Sequence, residues 1–181
     1  MSRYYKDFKE LKTVIDLLYN DDESIGVRAP RYVAGRKAKT YDCAVYTRKA
    51  LVNDAWEALV VNPVASWVNL ESVTCFRNFR FEIDPSIKTE EFINLNSEIR
   101  DQELRRQESL IRGTGLPFSA IIYSGGKSLH VVVALESGLS KEVYDLNARW
   151  VQAIIPEFDH QSLNGVTGIR LPGHMRESTG L

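Results

Sequence analysis

An acidic pair closes a run of β-branched and aromatic residues. The run is VTCFRNFRFEID, residues 73 to 84, and the pair is Glu82 and Asp84. At positions i and i+2 of a strand, both side chains project from one face. Two negative charges about 4 Å apart repel by about 4 kcal/mol at an effective dielectric constant of about 20, a cost that a divalent cation reverses. The spacing indicates a metal site, and a strand end that simply meets solvent is the alternative.

A glycine-rich turn lies between two apolar runs in FSAIIYSGGKSLHVVVAL, residues 118 to 135. It brings together Ser124, Lys127, Ser128 and His130. Ser128 and His130 stand two residues apart on a predicted strand, so their side chains share a sheet face. A hydroxyl, an imidazole and nearby glycine amides are the groups of a phosphate cradle, and this is our hypothesis for the turn.

The same turn has two other interpretations. A P-loop or PP-loop ATPase also uses glycines and a lysine, but the P-loop spacing needs a glycine where Ile121 stands. Both ATPase types need a helix after the turn, and the residues after Lys127 are typical of a strand. A plain hairpin, in which Gly125 and Gly126 supply positive φ and nothing more, explains the glycines but not the polar side chains around them.

Two more charged residues follow on the C-terminal side. Asp159 comes directly after Phe158, and Arg170 lies in GIRLPGH. Three carboxylates, a phosphate cradle and an arginine are the groups that two-metal phosphoryl or nucleotidyl transfer needs, because the ions hold the attacking and leaving oxygens in line. Oxygen ligands of this kind suit Mg²⁺ or Mn²⁺ and not zinc.

The N-terminal third shows one clear element. Apolar residues recur at helical spacing over residues 7 to 19, at Phe8, Leu11, Ile15 and Leu18. Asp7 and Glu10 are spaced as a capping box, so the pattern predicts an amphipathic helix. Residues 22 to 57 are mixed, and we expect only short strands or loops there.

Strands and helices alternate from residue 76 onward. The strand that ends at Asp84 is followed by a helical pattern from Thr89, a residue suited to the N-cap, to Gly113, as one long helix or two broken ones. The glycine-rich hairpin comes next, then a helix closed by Pro156 and a short strand in VTGIRLP. The last helix has a predicted buried stripe of Val143, Leu146, Trp150 and Ile154.

This order is the split β-α-β plan of folds like the RNA-recognition motif (RRM). We therefore predict an α+β fold with an RRM-like core, an antiparallel sheet with helices packed on one face, and the other face free for a site. Residues 60 to 181 form the core, and residues 1 to 60 are an N-terminal α/β extension of the same single domain. The ending GHMRESTGL favours the N-terminal part of a longer protein.

Composition limits the class of protein. The chain has 181 residues, 44% of them hydrophobic, and a formal net charge of −1, which suits one globular domain. It has no apolar run long enough to span a bilayer and no secretory signal, so we expect a cytoplasmic protein without a membrane partner. Cys43 and Cys75 form no zinc motif or disulfide framework, so we expect no zinc.

The acidic pair, the turn and the later aspartate resemble the catalytic domain of the archaeo-eukaryotic primase (AEP) superfamily, in its phage and plasmid primase and primase-polymerase branch. The family motifs are an acidic pair, a Ser-x-His hairpin and a hydrophobic residue before Asp. In this chain they are Glu82-Ile83-Asp84, Ser128-Leu129-His130 and Phe158-Asp159. The strings NPV, FRFEID, LIRGTGLPFSAIIYSGGKSLHVVV and IRLPGHMR extend the resemblance over residues 60 to 176. Glu82 departs from the Asp of many members, and the family's Cys/His zinc element is missing.

The resemblance implies a role for each motif residue. Glu82, Asp84 and Asp159 would bind two divalent ions, Mg²⁺ or Mn²⁺, and with His130 would form the catalytic group. The nucleotide triphosphate would be bound by Ser124, Lys127, Ser128, His130 and Arg170. The single-stranded template would contact Arg77, Arg80 and Arg176.

The function implied is template-directed nucleotidyl transfer by a DNA primase or primase-polymerase, which synthesises or extends primers on single-stranded DNA in phage or plasmid replication. The substrates would be NTPs or dNTPs, and a helicase domain or another replication protein would be a partner. A catalytically inactive RRM-like module that binds single-stranded nucleic acid is the alternative. A P-loop or PP-loop ATPase is the third hypothesis.

Overall fold

The computed structural model describes residues 8–33, 36–51, 56–159 and 163–172. Its α-helices are α1 Phe8–Leu18, α2 Thr89–Ile93, α3 Ser97–Gly113 and α4 Lys141–Ile154. Its strands are β1 Ser24–Val33, β2 Arg36–Thr47, β3 Ala58–Val60, β4 Phe76–Glu82, β5 Ala120–Tyr123, β6 Leu129–Leu139 and β7 Gly168–Arg170. The predicted α+β class is confirmed, and so is the order of strands and helices after residue 76.

The strands form two antiparallel sheets where the sequence predicted one. The first has four strands in the order β2-β1-β3-β7, and the second has three in the order β4-β6-β5. The last strand belongs to the first of these sheets, because β7 pairs with β3 through Leu59 and Ile169. Both of these side chains are fully buried, and their packing attaches the C-terminal strand to the N-terminal sheet.

Residues of β6 alternate between the two faces of the three-stranded sheet. Leu129, Val131 and Val133 belong to a core cluster that includes residues of α3 and α4. Val132 belongs to a second cluster, which includes residues of α1, β1, β3 and β7. Helices thus cover one face, as predicted. The other face is not free as expected, because α1 and the four-stranded sheet cover it, and a functional site on that face must lie between the sheets.

The segment from residue 22 to 57 forms a long β-hairpin where the sequence led us to expect short strands or loops. β1 pairs with β2 from Ser24 opposite Thr47 to Val33 opposite Arg36. Ile25 and Val27 are fully buried, two residues apart, so they give β1 one inward face. The apolar residues Ile25, Val27 and Ala29 alternate along the sequence, and this pattern is the signal for a strand that the mixed composition of the segment concealed.

Helix α1 packs as predicted. Its residues Leu11, Ile15 and Leu18 are buried in the cluster that also contains Val132. Asp7, half of the expected capping box, lies outside the described residues. The long helical pattern after Thr89 forms two helices, because Asn96 caps α3 by accepting a hydrogen bond from the Glu98 amide at 2.7 Å. None of the helices described is long and apolar enough to cross a membrane.

The apolar stripe predicted to be buried on α4 is on its exposed side. Its four members are 44 to 62% exposed: Val143, Leu146, Trp150 and Ile154. The inward face instead has Tyr144, which stacks on Phe79 with ring centroids 4.2 Å apart and donates a hydrogen bond to the Asn78 carbonyl at 3.0 Å. Both stripes have helical spacing, and the prediction followed the larger side chains. The buried hydroxyl of Tyr144 needs a hydrogen-bond partner. The Asn78 carbonyl provides one when the face of α4 that has Tyr144 packs inward.

Candidate active site

A cavity of about 320 Å³ lies between the two sheets. It is bordered by β1, β2, β3 and β7 on one side, and by β4, the turn after β5 and the start of β6 on the other. The side chains described around it include four basic and three acidic groups. The lining residues are Arg28, Tyr41, Glu57, Ala58, Arg80, Glu82, Asp84, Thr89, Ser124, Lys127, Ser128, His130, Gly168 and Arg170.

The acidic pair lies at the end of β4, and both side chains line the cavity. The alternate residues of the same segment, Phe79, Phe81 and Ile83, point the other way into the core under the helices. Glu82 forms an ion pair with Arg80, and its Oε2 lies 3.1 Å from Nε2 of His130. Asp84 forms an ion pair with Lys127 at 2.7 Å. Each carboxylate is thus matched by a cation of the chain itself.

The glycine-rich turn is held by the hydroxyl of Ser124. Its Oγ accepts hydrogen bonds from the amides of Gly126 and Ser128 at 3.2 and 3.4 Å, and from the hydroxyl of Ser128 at 3.3 Å. Gly125 has a φ of +66°, which only glycine adopts without strain. Both serines are nearly buried at the cavity wall, with exposures of 6% and 5%. The turn therefore presents hydroxyl groups to the cavity from a fixed backbone.

Lys127 uses its ammonium group to hold the segment after β4. Besides Asp84, its Nζ donates to the carbonyls of Pro85 and Ile87 at 2.8 and 2.9 Å. An ammonium group has three donors, so these partners match its capacity. Lys127 lines the cavity as expected, and in the structure it also joins the turn to the acidic strand end.

His130 follows the turn on β6 and is 5% exposed. Its Nδ1 accepts a long hydrogen bond, 3.4 Å, from the backbone amide of Arg170. This contact directs Nε2 toward Glu82 and toward the guanidinium of Arg80, which is 2.8 Å away. Ser128 and His130 both line the cavity, as their spacing predicted.

Two arginines stand beside the acidic pair. Arg170 forms an ion pair with Glu57 at 2.5 Å across the four-stranded sheet. Burial lowers the pKa of Arg80 to about 10, while the nearby Asp159 carboxylate raises it and Arg170 lowers it further. Arg80 therefore stays charged at neutral pH. Both arginines line the cavity, Arg80 paired with Glu82 and Arg170 paired with Glu57.

Asp159 reaches the site through the backbone. Its amide donates to the Glu82 carbonyl at 2.8 Å, and Phe158 forms a bridge with Ile83. Its carboxylate raises the pKa of Arg80 by charge attraction, although Asp159 does not line the cavity. Over residues 8–33, 36–51, 56–159 and 163–172, no three His, Cys, Asp or Glu side chains are placed together as metal ligands.

Sequence reasoning missed the side of the cavity that the N-terminal sheet provides. Arg28, Tyr41 and Glu57 come from the hairpin and from the residue before β3, and Thr89 begins α2. The apolar alternation of Ile25, Val27 and Ala29 in the sequence was a signal for the strand that carries Arg28. No pattern in the sequence marked Glu57, whose partner Arg170 is 113 residues away.

The structure corrects one template-binding expectation. Arg77 is 7% exposed, forms an ion pair with Glu23 and donates to the Leu18 carbonyl at 2.8 Å. It joins β4 to the end of α1 and does not line the cavity. Arg80, expected to contact template as well, lines the cavity, and Arg176 lies outside the described residues.

Replacing Arg77 by Met is expected to lower the free energy of unfolding by about 2 kcal/mol at pH 7, because it leaves a nearly buried carboxylate without its cation. Burial alone would raise the pKa of Glu23, but hydrogen bonds from Arg77 and the Asn20 amide hold it below its usual range. Such a carboxyl stabilises the fold above its unfolded pKa of about 4.3 and loses this effect as the pH falls through the folded value.

Urea denaturation at pH 7 and at lower pH measures this effect of Arg77→Met. The difference from wild type should shrink below about pH 4, where Glu23 becomes protonated. Affinity for single-stranded DNA should not change. A variant of normal stability that lost DNA binding would return Arg77 to the template-binding residues.

A known structure shares this architecture. The AEP domain of the primase-polymerase of cyanophage S-2L superposes with a TM-score of 0.68, over 97% of this chain and 86% of that chain, at 16% sequence identity. The chain has an AEP-type fold. No family model and no curated protein matches the sequence.

The AEP-type fold agrees with the family resemblance of the three motifs. It also removes the ATPase hypothesis, because β6 begins at Leu129, two residues after Lys127, where a P-loop or PP-loop protein has a helix. A plain hairpin is insufficient as well, since the turn forms part of a cavity lined by charged groups. In this AEP-type fold, the acidic pair and the Ser-x-His turn lie on neighbouring strands of one sheet.

Proposed function

We propose that the chain is a template-directed nucleotidyltransferase, a DNA primase or primase-polymerase that synthesises or extends primers on single-stranded DNA in phage or plasmid replication. The observation that carries this proposal is the convergence of the acidic pair with Ser128 and His130 in one cavity of an AEP-type fold. NTPs or dNTPs are the proposed substrates. A helicase domain or another replication protein is a further proposed partner.

The groups of the turn suit a triphosphate. Ser124 and Ser128 offer hydroxyls, and His130 and Arg170 lie on the strands that border them. Phosphate oxygens accept hydrogen bonds from all of these groups, and a charged donor makes the stronger bond. A cavity of about 320 Å³ is within the range of small-ligand sites, which supports a bound nucleotide.

The carboxylates suit divalent cations by type. Oxygen donors are the ligands that Mg²⁺ and Mn²⁺ prefer, and Glu82, Asp84 and Asp159 would hold them. Bound there, two such ions supply charge neutralisation and alignment of the attacking and leaving oxygens. In the structure Arg80 and Lys127 neutralise Glu82 and Asp84, so a divalent cation bound to the acidic pair would displace these two ion pairs.

The cavity also provides positions for the template and the base. Arg28 and Arg80 offer positive charge for phosphates of a single strand. Tyr41 is 55% exposed at the cavity edge and offers an aromatic face on which a base could stack. These groups come from both sheets, so a nucleic acid bound there would contact the N-terminal extension as well as the core.

Calorimetric titration of ATP and dATP tests the proposal. With Mn²⁺ the wild-type chain should bind, EDTA should weaken binding, and Asp84→Asn should weaken it about tenfold, the effect of losing one charged ligand. Asp145→Asn is the matched control, because Asp145 forms a similar ion pair with Lys141 at 2.5 Å on α4, outside the cavity. It should bind like the wild type.

The same titration separates the two remaining functions. Absence of nucleotide binding under all conditions would contradict the proposal and favour the inactive module that binds single-stranded nucleic acid. In that case Asp84→Asn would leave DNA affinity unchanged. Binding that requires Mn²⁺ and Asp84 leads to the next assay, primer synthesis on single-stranded DNA.

A further inference from the structure

Gln107 is a fully buried polar residue in a helix that is mostly exposed. Its exposure is 0%, and in α3 it shares the buried face with Ile111, one turn later. Burying an amide costs free energy unless its hydrogen bonds are satisfied. A leucine would fit the periodicity of α3 and avoid that cost, so the glutamine requires a specific explanation.

All the polar atoms of its amide have partners. Nε2 donates to Glu103 Oε1 at 3.1 Å and to the Lys127 carbonyl at 2.8 Å. Oε1 accepts from the Leu129 amide at 3.0 Å. Two of the three bonds thus go to the backbone of the glycine-rich turn, and they flank Ser128 on both sides. The amide contributes a donor and an acceptor to adjacent places, which an apolar side chain cannot do.

This pair of bonds copies a β-sheet contact. A residue of a parallel strand donates to the carbonyl before its partner residue and accepts from the amide after it, and the Gln107 amide does both for Ser128. The copy is needed at this point because the pairing of β4 with β6 stops at Glu82 opposite His130. Leu129 stands opposite Tyr123 of β5, but on the β4 side it lies one residue beyond the last pair, and without Gln107 its amide would be a buried donor with no partner there.

We propose that Gln107 is a positioning residue for the nucleotide site. This inference rests on the proposed function, since it assigns the turn to phosphate binding. By fixing the peptide groups on both sides of Ser128, Gln107 holds the Ser128 hydroxyl at the cavity and keeps the Lys127 backbone in the place from which its ammonium reaches Asp84. Gln107 does not line the cavity itself, and it acts through the turn.

Gln107→Leu is the direct test. Leucine has a similar volume, but it leaves the Lys127 carbonyl and the Leu129 amide without partners, so the turn must shift to recover them. The affinity for ATP in the presence of Mn²⁺, measured by calorimetry, should fall about fivefold, because the phosphate-binding groups lose their fixed geometry. Hydrogen exchange at the Leu129 amide should accelerate, while exchange at Val131, in the middle of β6, stays as in the wild type.

Ile111→Val is the matched control. Ile111 is fully buried on the same face of α3, in the core cluster with Tyr144 and Phe158, and its apolar side chain can make no hydrogen bond to the turn. Removing one methylene there should lower stability by an amount similar to Gln107→Leu while leaving ATP affinity unchanged. A loss of affinity in Gln107→Leu alone therefore reports positioning and not a general loss of stability.

Gln107→Glu covers the case in which the leucine variant does not fold. The carboxylate keeps an acceptor for the Leu129 amide but has no proton for the Lys127 carbonyl, so ATP affinity should again fall. Normal ATP affinity in a folded Gln107 variant would overturn the positioning role and leave the proposed function intact. A wild-type chain that binds no nucleotide would instead refute the proposed function, and the positioning role with it.

Discussion

Asp159→Asn is expected to reduce Mn²⁺-dependent primer synthesis on single-stranded DNA to less than about 1% of the wild-type rate, a loss typical of removing a ligand in a two-metal site. Asparagine keeps the size of the side chain and the backbone bond from residue 159 to the Glu82 carbonyl. The change therefore removes a negative charge beside the acidic pair and leaves the bridge between Phe158 and Ile83 in place. Incorporation of labelled nucleotide, resolved on a denaturing gel, measures it.

A second acidic variant controls for charge. Asp145→Asn on α4 removes one carboxylate at a place that does not border the cavity, and synthesis should stay near the wild-type rate. The melting temperature of Asp159→Asn should fall only slightly, since the residue keeps its backbone contact and the buried Arg80, although it loses the attraction of Asp159, keeps its ion pair with Glu82. Synthesis retained by a folded Asp159→Asn chain would remove Asp159 from the proposed metal ligands and would weaken the two-metal mechanism.

The sequence predicted most of the site because its residues follow simple strand geometry. Glu82 and Asp84 share a face with a spacing of two residues, and Ser128 and His130 do the same on the neighbouring strand. The strands pair with Glu82 opposite His130, so both motifs meet in one cavity. Two local patterns and one strand pairing were enough to place these four side chains.

The other features of the site depend on contacts between segments that are far apart in the sequence. Local sequence patterns do not show such contacts. Two arginine ion pairs are an example, since Arg170 pairs with Glu57 and Arg77 with Glu23 across 113 and 54 residues. The three arginines Arg77, Arg80 and Arg170 are of one type, yet one is structural and two line the cavity. Tertiary packing decided this difference.

The sequence pattern also did not show which polar residues would be buried. Gln107 occupies an apolar position of α3, and a hydrophobic pattern alone gives no reason to single it out. Its role became visible only when the turn placed two backbone groups opposite its amide. The misassigned stripe of α4 has a similar cause, because the burial of Tyr144 depends on an acceptor in β4.

His130 has more structural contacts than its position on a sheet face suggests. From sequence, a phosphate-binding histidine on such a face would contribute little to stability. In the structure its ring lies between the Arg170 amide, the Glu82 carboxylate and the Arg80 guanidinium, and it is 5% exposed. Because Nδ1 is engaged by the Arg170 amide, Nε2 is the nitrogen that would meet a phosphate oxygen.

His130→Ala should therefore weaken nucleotide binding about thirtyfold, the effect of losing a hydrogen bond to a charged group. It should also lower the melting temperature by about 3 °C, equivalent to about 1 kcal/mol in a chain of this size. Calorimetry with ATP and Mn²⁺ and a thermal melt give the two values. Val132→Ala is the control, since Val132 is two residues further on β6, fully buried and outside the cavity wall.

Val132→Ala should cost at least as much stability as His130→Ala, because it removes two methyl groups from the core between the sheets. Its affinity for ATP should nevertheless match the wild type. The two variants thus separate the contribution of the imidazole to the ligand from its contribution to the fold. If His130→Ala lost stability and bound ATP normally, the imidazole would be a structural link between Arg170 and Glu82, and the phosphate would have to be bound by the serines and arginines alone.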